Sequence, residues 1–94
     1  SRPSRGERRP VDLGEVCEQA VFLCRTQHKR AAIQVELAFA DDAPRALGDS
    51  NQLQQVVVNL VSNAFGALDG KTGTIRLSTA RGPSGEARLR VQDS

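Results

Sequence analysis

A chain of 94 residues has room for one domain of modest stability, and its 38% apolar content, with three Phe and neither Trp nor Tyr, demands an aliphatic core. No apolar run approaches the roughly 18 residues of a membrane span, and no signal-peptide pattern opens the chain. The formal charge of +2 arises in the first ten residues, which carry +3 and leave −1 for the remainder, so the body lacks the basic surplus of a nucleic-acid binder.

Those first residues, SRPSRGERRP, hold Arg2, Arg5, Arg8 and Arg9 against Glu7, with two Pro, one Gly and no apolar side chain. Residues 1–10 are expected to be a disordered basic linker. Four arginines attract phosphate, but no aromatic residue accompanies them for base stacking, and no nucleic-acid partner is expected.

The folded part opens at Val11. Asp12 is placed to cap a helix in which Leu13, Val16, Cys17, Ala20, Val21 and Cys24 keep one apolar face to about His28. Arg25, His28, Lys29 and Arg30 crowd its end, where cations oppose the negative end of the helix dipole. Cys17 and Cys24 stand seven residues apart, about 10 Å along the axis, beyond disulfide reach. Both are expected in the core as small hydrophobes, which suits a reducing cytoplasm, and with one histidine there is no zinc site. Ile33, Val35, Leu37 and Phe39 then alternate with Gln34, Glu36 and Ala38, a strand with one buried face that Asp41-Asp42-Ala43-Pro44 stops. Arg45 to Asp49 predicts a short strand leading into the next helix.

Asp49 to Leu68, DSNQLQQVVVNLVSNAFGAL, is the most strongly patterned stretch. Leu53, Val56, Val57, Leu60, Val61, Ala64, Phe65 and Leu68 recur at helical spacing, and Asp49 with Gln52 reads as a capping box. Its polar residues are not spread over the opposite face. Gln52, Gln55, Asn59, Asn63 and Gly66 fall in one stripe roughly 80° wide. Asparagine competes with the helix backbone for hydrogen bonds, so two in register ask for a reason.

The run Q-x-V-V-V-N-L-V-S-N-A-F-G-A-L, from Gln54 to Leu68, resembles the N box of the GHKL ATP-binding superfamily, and most closely the N-L-x-x-N-A-x-x-A form of sensor histidine kinases. The resemblance implies that Asn63 gives its amide oxygen to the Mg²⁺ bridging the ATP phosphates and that Asn59 lies close to them. A hard cation favours such oxygen ligands. Superfamily members that hydrolyse ATP carry glutamate at the Asn59 position to activate water, and an amide cannot take that proton. Asn59 thus points to a kinase, whose nucleophile comes from elsewhere. Many members also place Lys or another polar residue where Gly66 stands, and this chain departs from them there.

After Leu68, Asp69 to Gly73 forms a turn, and its Gly70-Lys71-Thr72 lacks the upstream glycine and strand of a P-loop. Thr74 to Ser78 and Ala87 to Val91 alternate as strands of a hairpin closed by Gly82 to Gly85, with Arg76, Arg88 and Arg90 on the solvated face. Val91-Gln92-Asp93-Ser94 resembles the approach to the family's G1 box, D-x-G-x-G, in which the Asp, here Asp93, accepts from the adenine amino group. The sequence stops before the glycines. His28 lacks the acidic neighbour and later proline of the family's phosphoacceptor motif.

The expected fold is an α/β (α+β) two-layer sandwich, with helices on one face of a mixed, mostly antiparallel sheet and residues 11–94 forming an incomplete domain. The resemblance implies a cytoplasmic ATP-binding portion of a two-component sensor histidine kinase that uses ATP and Mg²⁺. Asn59, Asn63 and Asp93 would bind the cofactor, with Asn63 on the metal and no catalytic residue of the chain's own. Its partners would be a phosphoacceptor-histidine dimerisation domain of the same protein and a response regulator. The chain alone is expected to be inactive, and an uncovered sheet edge and apolar face would invite self-association. The alternative is a non-catalytic GHKL module that serves as a dimerisation or partner-binding platform.

Overall fold

Each helix begins where a carboxylate meets the free N–H groups of a first turn. In the computed structural model, which describes residues 7–28, 32–68 and 70–94, the Asp12 side chain accepts from the N–H of Gly14 at 2.9 Å and opens α1, Leu13–Gln27. The Asp49 side chain accepts from Asn51 at 2.9 Å and Gln52 at 3.3 Å and opens α2, Ser50–Ala67. Helix α1 buries Leu13, Val16, Cys17, Ala20, Val21 and Cys24, the face its spacing predicts. It closes at His28, whose N–H donates to the Cys24 carbonyl at 3.0 Å. Lys29, Arg30 and Ala31, two of them in the expected cationic cluster, lie outside the described residues.

Five strands accompany the helices among the described residues: β1 Arg9–Val11, β2 Ile33–Phe39, β3 Ala46–Gly48, β4 Gly73–Arg81 and β5 Ala87–Asp93. They form two sheets rather than one. Strand β1 pairs antiparallel with β3, while β2, β4 and β5 form a mixed sheet in that order, with β2 parallel and β5 antiparallel to β4. The expectation of a linker through Pro10 is corrected here: Arg9 and Pro10 belong to β1, opposite Gly48 and Leu47. Ladder pairing needs no apolar side chain, and buried Val11 anchors the strand. Ser1 to Gly6 of that segment lie outside the described residues. The two-layer α/β class holds, with the hydrophobic core between the helices and the β2-β4-β5 sheet.

The core joins Val16, Cys17, Ala20, Val21 and Cys24 of α1 to Val57, Val61, Ala64 and Phe65 of α2 and to Ile33, Ile75 and Leu77 of the sheet. The helices lie side by side and run in the same direction. Cys24 Sγ meets the Val58 carbonyl at 3.7 Å, and further along both helices the His28 ring stacks on Phe65 with centroids 5.2 Å apart.

Three residues of the predicted apolar faces of β2 and α2 are exposed. Val56 is 54% exposed, Leu60 44% and Leu37 41%. At 100° per residue, Val58 and Phe65 turn toward α1, and Val56 and Leu60 lie on the opposite flank of α2, away from that helix. Leu37 sits on β2, an edge strand of its sheet. Periodicity marks these side chains as apolar, but no described element packs over them.

Candidate functional site

The polar stripe of α2 reaches the surface. Gln52, Gln55, Asn59, Asn63 and Gly66 are all exposed, while Val57, Val61, Ala64 and Phe65 hold the helix to the core from the other side. Asn59 and Asn63 are one turn apart, so their carboxamides are neighbours on one line about 6 Å apart along the axis. Because the helix is fixed by its buried face, the direction of that line is fixed too.

Asp93 is the last residue of β5. Ala87, Leu89 and Val91 are half-buried, Leu89 and Val91 pack on the core, and Arg88, Arg90 and Gln92 between them are exposed. Strand alternation continues the helix-side row to Asp93, which stands opposite the fully buried Ile75 of β4. The ends of the elements converge here. A methyl group on Gly73 would lie 2.6 Å from the Ser94 carbonyl oxygen and 2.9 Å from Leu68 Cδ1. The C-terminal end of α2, the start of β4 and the end of β5 thus meet at Gly73, which is glycine because nothing larger fits. Asn63 is five residues before Leu68, about 7.5 Å along the helix. Asn63 and Asp93 therefore belong to the same end of the molecule, with Asn59 one turn further along.

Gln52 lies elsewhere. It lines a cleft of about 500 Å³ with Arg8, Leu47, Gly48, Asp49, Leu53 and Val56, at the N-terminal end of α2. This cleft is not legible in the sequence, because the β1–β3 pairing that brings Arg8 and Leu47 to the helix leaves no periodic trace in three-residue strands.

The donors available on the stripe are neutral oxygens and amides. Among the described residues, no group of three or more His, Cys, Asp or Glu comes together that could hold a metal ion. A carboxamide oxygen fits Mg²⁺ as one ligand among several, provided phosphate and water supply the others. The thiols are withdrawn from chemistry. Burial first, then repulsion by Glu18 and Asp12, pushes Cys17 from an ordinary 9.0 to about 11, and burial also raises Cys24. His28 is half-buried against Phe65, away from any acidic partner among the described ion pairs.

No protein-family model matches the chain. The cell-division control histidine kinase PdhS of Brucella canis is 29% identical over 84 residues, which is 89% of this chain and 8% of that protein. The PdhS of Brucella anthropi is 27% identical over the same share. Among solved structures, the mycobacterial sensor histidine kinase MprB is 25% identical with a TM-score of 0.75, over 92% of this chain and 54% of that one. Full-length ShkA in complex with AMPPNP superposes with a TM-score of 0.77 at 22% identity, over 97% of this chain and 19% of that one. The histidine kinase ThkA, in complex with the response regulator protein TrrA, does so with 0.75 at 23%, over 95% and 26%. The chain spans only a small part of the curated relatives that it matches, and the last two likenesses concern the fold. In sequence and in fold, the chain is like the catalytic domain of sensor histidine kinases.

Proposed function

We propose that this chain is the ATP-binding portion of a two-component sensor histidine kinase, and that ATP lies along the exposed stripe of α2 with its adenine toward the end of β5. The observation that carries this reading is the common placement of Asn63 and Asp93 at the end where α2, β4 and β5 meet, with Asn59 in line beyond them. Asp93 would accept from the adenine amino group. Asn63 would contribute one oxygen to a Mg²⁺ held mainly by the phosphates, and Asn59 would donate to a phosphate oxygen. Such a metal supplies charge neutralisation and orientation of the phosphoryl group. The AMPPNP bound by ShkA, a structural neighbour, is consistent with nucleotide binding by this fold.

The stripe offers no base to activate water, so hydrolysis is not its chemistry. Nor does the chain offer an acceptor: its one histidine, His28, is packed on Phe65. The phosphoryl group would pass to a histidine on a separate dimerisation domain of the same protein and from there to a response regulator; a structural neighbour, ThkA, is in complex with the response regulator protein TrrA. These steps are cytoplasmic, and the chain alone would not perform them.

Calorimetric titration with ADP in the presence of Mg²⁺ tests the reading. Binding is expected, weakened more than about ten-fold by Asn63→Ala and by Asp93→Ala, since each removes a hydrogen bond or ligand to a charged or fixed polar group. Binding that both variants leave unchanged would remove the site from α2 and β5. One observation favours a second reading, a partner-binding platform: Leu47, Val56 and Leu60 form an exposed apolar flank. That reading predicts no nucleotide binding and a concentration-dependent mass in sedimentation.

A further inference from the structure

A second cleft lies at the far end of the sheet from Asp93. Thr79, which lines it, stands six residues along β4 from Gly73, about 20 Å away. The cleft has a volume of about 330 Å³, within the range of small-ligand sites. Asp12, Glu15 and Glu18 reach it from the start of α1, and Phe39 of β2 forms its floor beside Thr79, its register partner. Helix and floor are close together, since a methyl group on Gly14 would lie 3.1 Å from Phe39 Cδ2. Asp41 and Arg45, from the segment that joins β2 to β3, complete the rim.

Charge in this cleft is unbalanced, with four carboxylates against one guanidinium. Glu15, Glu18, Asp41 and Arg45 form no ion pair among the described residues. The Asp12 side chain accepts from the first turn of α1, so the helix offers a carboxylate here in place of free N–H groups, and an anion is disfavoured. An acidic rim alone is a solvated surface; Thr79 sets this one apart. It is only 6% exposed, and its hydroxyl has no hydrogen-bond partner among the described residues. Thr79 continues the buried, helix-facing row of Ile75 and Leu77, which aims it beneath α1. No polar side-chain atom sealed from solvent lacks a partner among the described residues, so the surface that this hydroxyl keeps opens into the cleft.

The carboxylates do not come together as a group that could hold a metal ion. We propose that the cleft binds a guanidinium group, presented as an arginine side chain by a partner polypeptide. A guanidinium has five N–H donors in a planar fork, which suits carboxylates on one side, the Thr79 hydroxyl oxygen below and an aromatic ring such as Phe39 alongside. Leu13, Ala43 and Pro44 line the same cleft and suit the methylene stem of that side chain. Arg45, of like charge, opposes the ligand.

The test is a ¹⁵N-detected titration of the full chain with N-acetyl-arginine amide at millimolar concentration, beside its lysine and citrulline analogues. Citrulline keeps the shape and loses the charge. Saturable shifts are expected at the amides of Gly14, Ala40 and Asp41, with the lysine analogue at least about three-fold weaker and the citrulline analogue without effect. The double variant Glu15→Gln with Glu18→Gln should weaken binding about five-fold, and Thr79→Val, equal in shape without the hydroxyl, about three-fold, whereas Arg45→Gln should strengthen it about two-fold. The amide spectrum of each variant reports whether its fold is kept. No saturable shift, or equal shifts with the citrulline analogue, would overturn the proposal. Equal binding of the lysine analogue would overturn the choice of guanidinium, and weaker binding by Arg45→Gln would overturn the sign of the ligand's charge. Free arginine that binds more tightly than the blocked amide would overturn the polypeptide source.

Discussion

Asn59 and Asn63 are poor helix formers placed in the interior of an 18-residue helix and left exposed, which costs stability without a packing return. Their neighbours show the opposite logic: Val57, Val61 and Phe65 are almost wholly buried and hold the helix in place. Residue types alone disclosed this division, because an amide stripe beside an apolar face is visible in the order of letters. Cys17 was equally legible, since its place on the apolar face of α1 marks it for burial, and its surface exposure is nil. That burial has a pH signature. A thiol whose pKa is raised on folding stabilises the folded state fully below its ordinary 9.0, and the contribution is lost as pH rises toward about 11. Thermal midpoints measured across that interval should fall, and Cys17→Ala should make the fall shallower. An unchanged slope in the variant would show that Cys17 does not titrate as the fold requires.

Helices and strands differ in how much of themselves they write into sequence. Both helices were legible to within a residue or two because each carries two independent signals, a capping aspartate and a sustained apolar period. The β4–β5 hairpin was legible from alternation and its glycines, although β4 begins at Gly73 and runs to Arg81, beyond the alternating core that marked it. The β1–β3 pairing was not, since three residues establish no period and Pro10 argues against a strand. The hairpin turn depends on a single carboxylate. Gly85 takes a φ of 81°, and Glu86 folds back over Gly82, where any side chain would collide with it. The Glu86 side chain accepts from Ser84 N–H at 2.9 Å and from Arg88 Nε at 3.0 Å. Its own backbone N–H first, then Ser84 and Arg88, hold its carboxyl below the ordinary 4.5. A depressed pKa means that this support is present above the ordinary value and lost as pH falls below it. Amide protection at Gly82 and Gly85 should therefore weaken on acidification while that of Ile75 and Leu77 persists, and Glu86→Gln should reproduce the effect near neutrality. Uniform loss across the strand would mean that the turn is not held separately.

At the scale of the whole molecule, two parallel helices on a three-stranded mixed sheet form a core that is closed on the α1 side of α2 and open on the other. Val56 and Leu60 expose this asymmetry, and no sequence pattern could have shown it, since periodicity specifies which face is apolar and not what lies against it. The same arrangement sets the candidate site. Asn63 and Asp93, 30 residues apart in sequence, come to one end because the hairpin returns β5 antiparallel to β4, whose first residue packs against Leu68. The family resemblance named these residues; the topology brings them to the same end of the molecule, as one ligand for both would require. It also predicts where a ligand will be felt. Backbone amide shifts mapped by heteronuclear NMR, with ADP and Mg²⁺ added to the ¹⁵N-labelled chain, should move at Asn59, Asn63, Gly66 and Asp93, with Gln52 and Leu47 at the far cleft unaffected. Shifts confined to that cleft, or none anywhere, would contradict the placement of a nucleotide along α2.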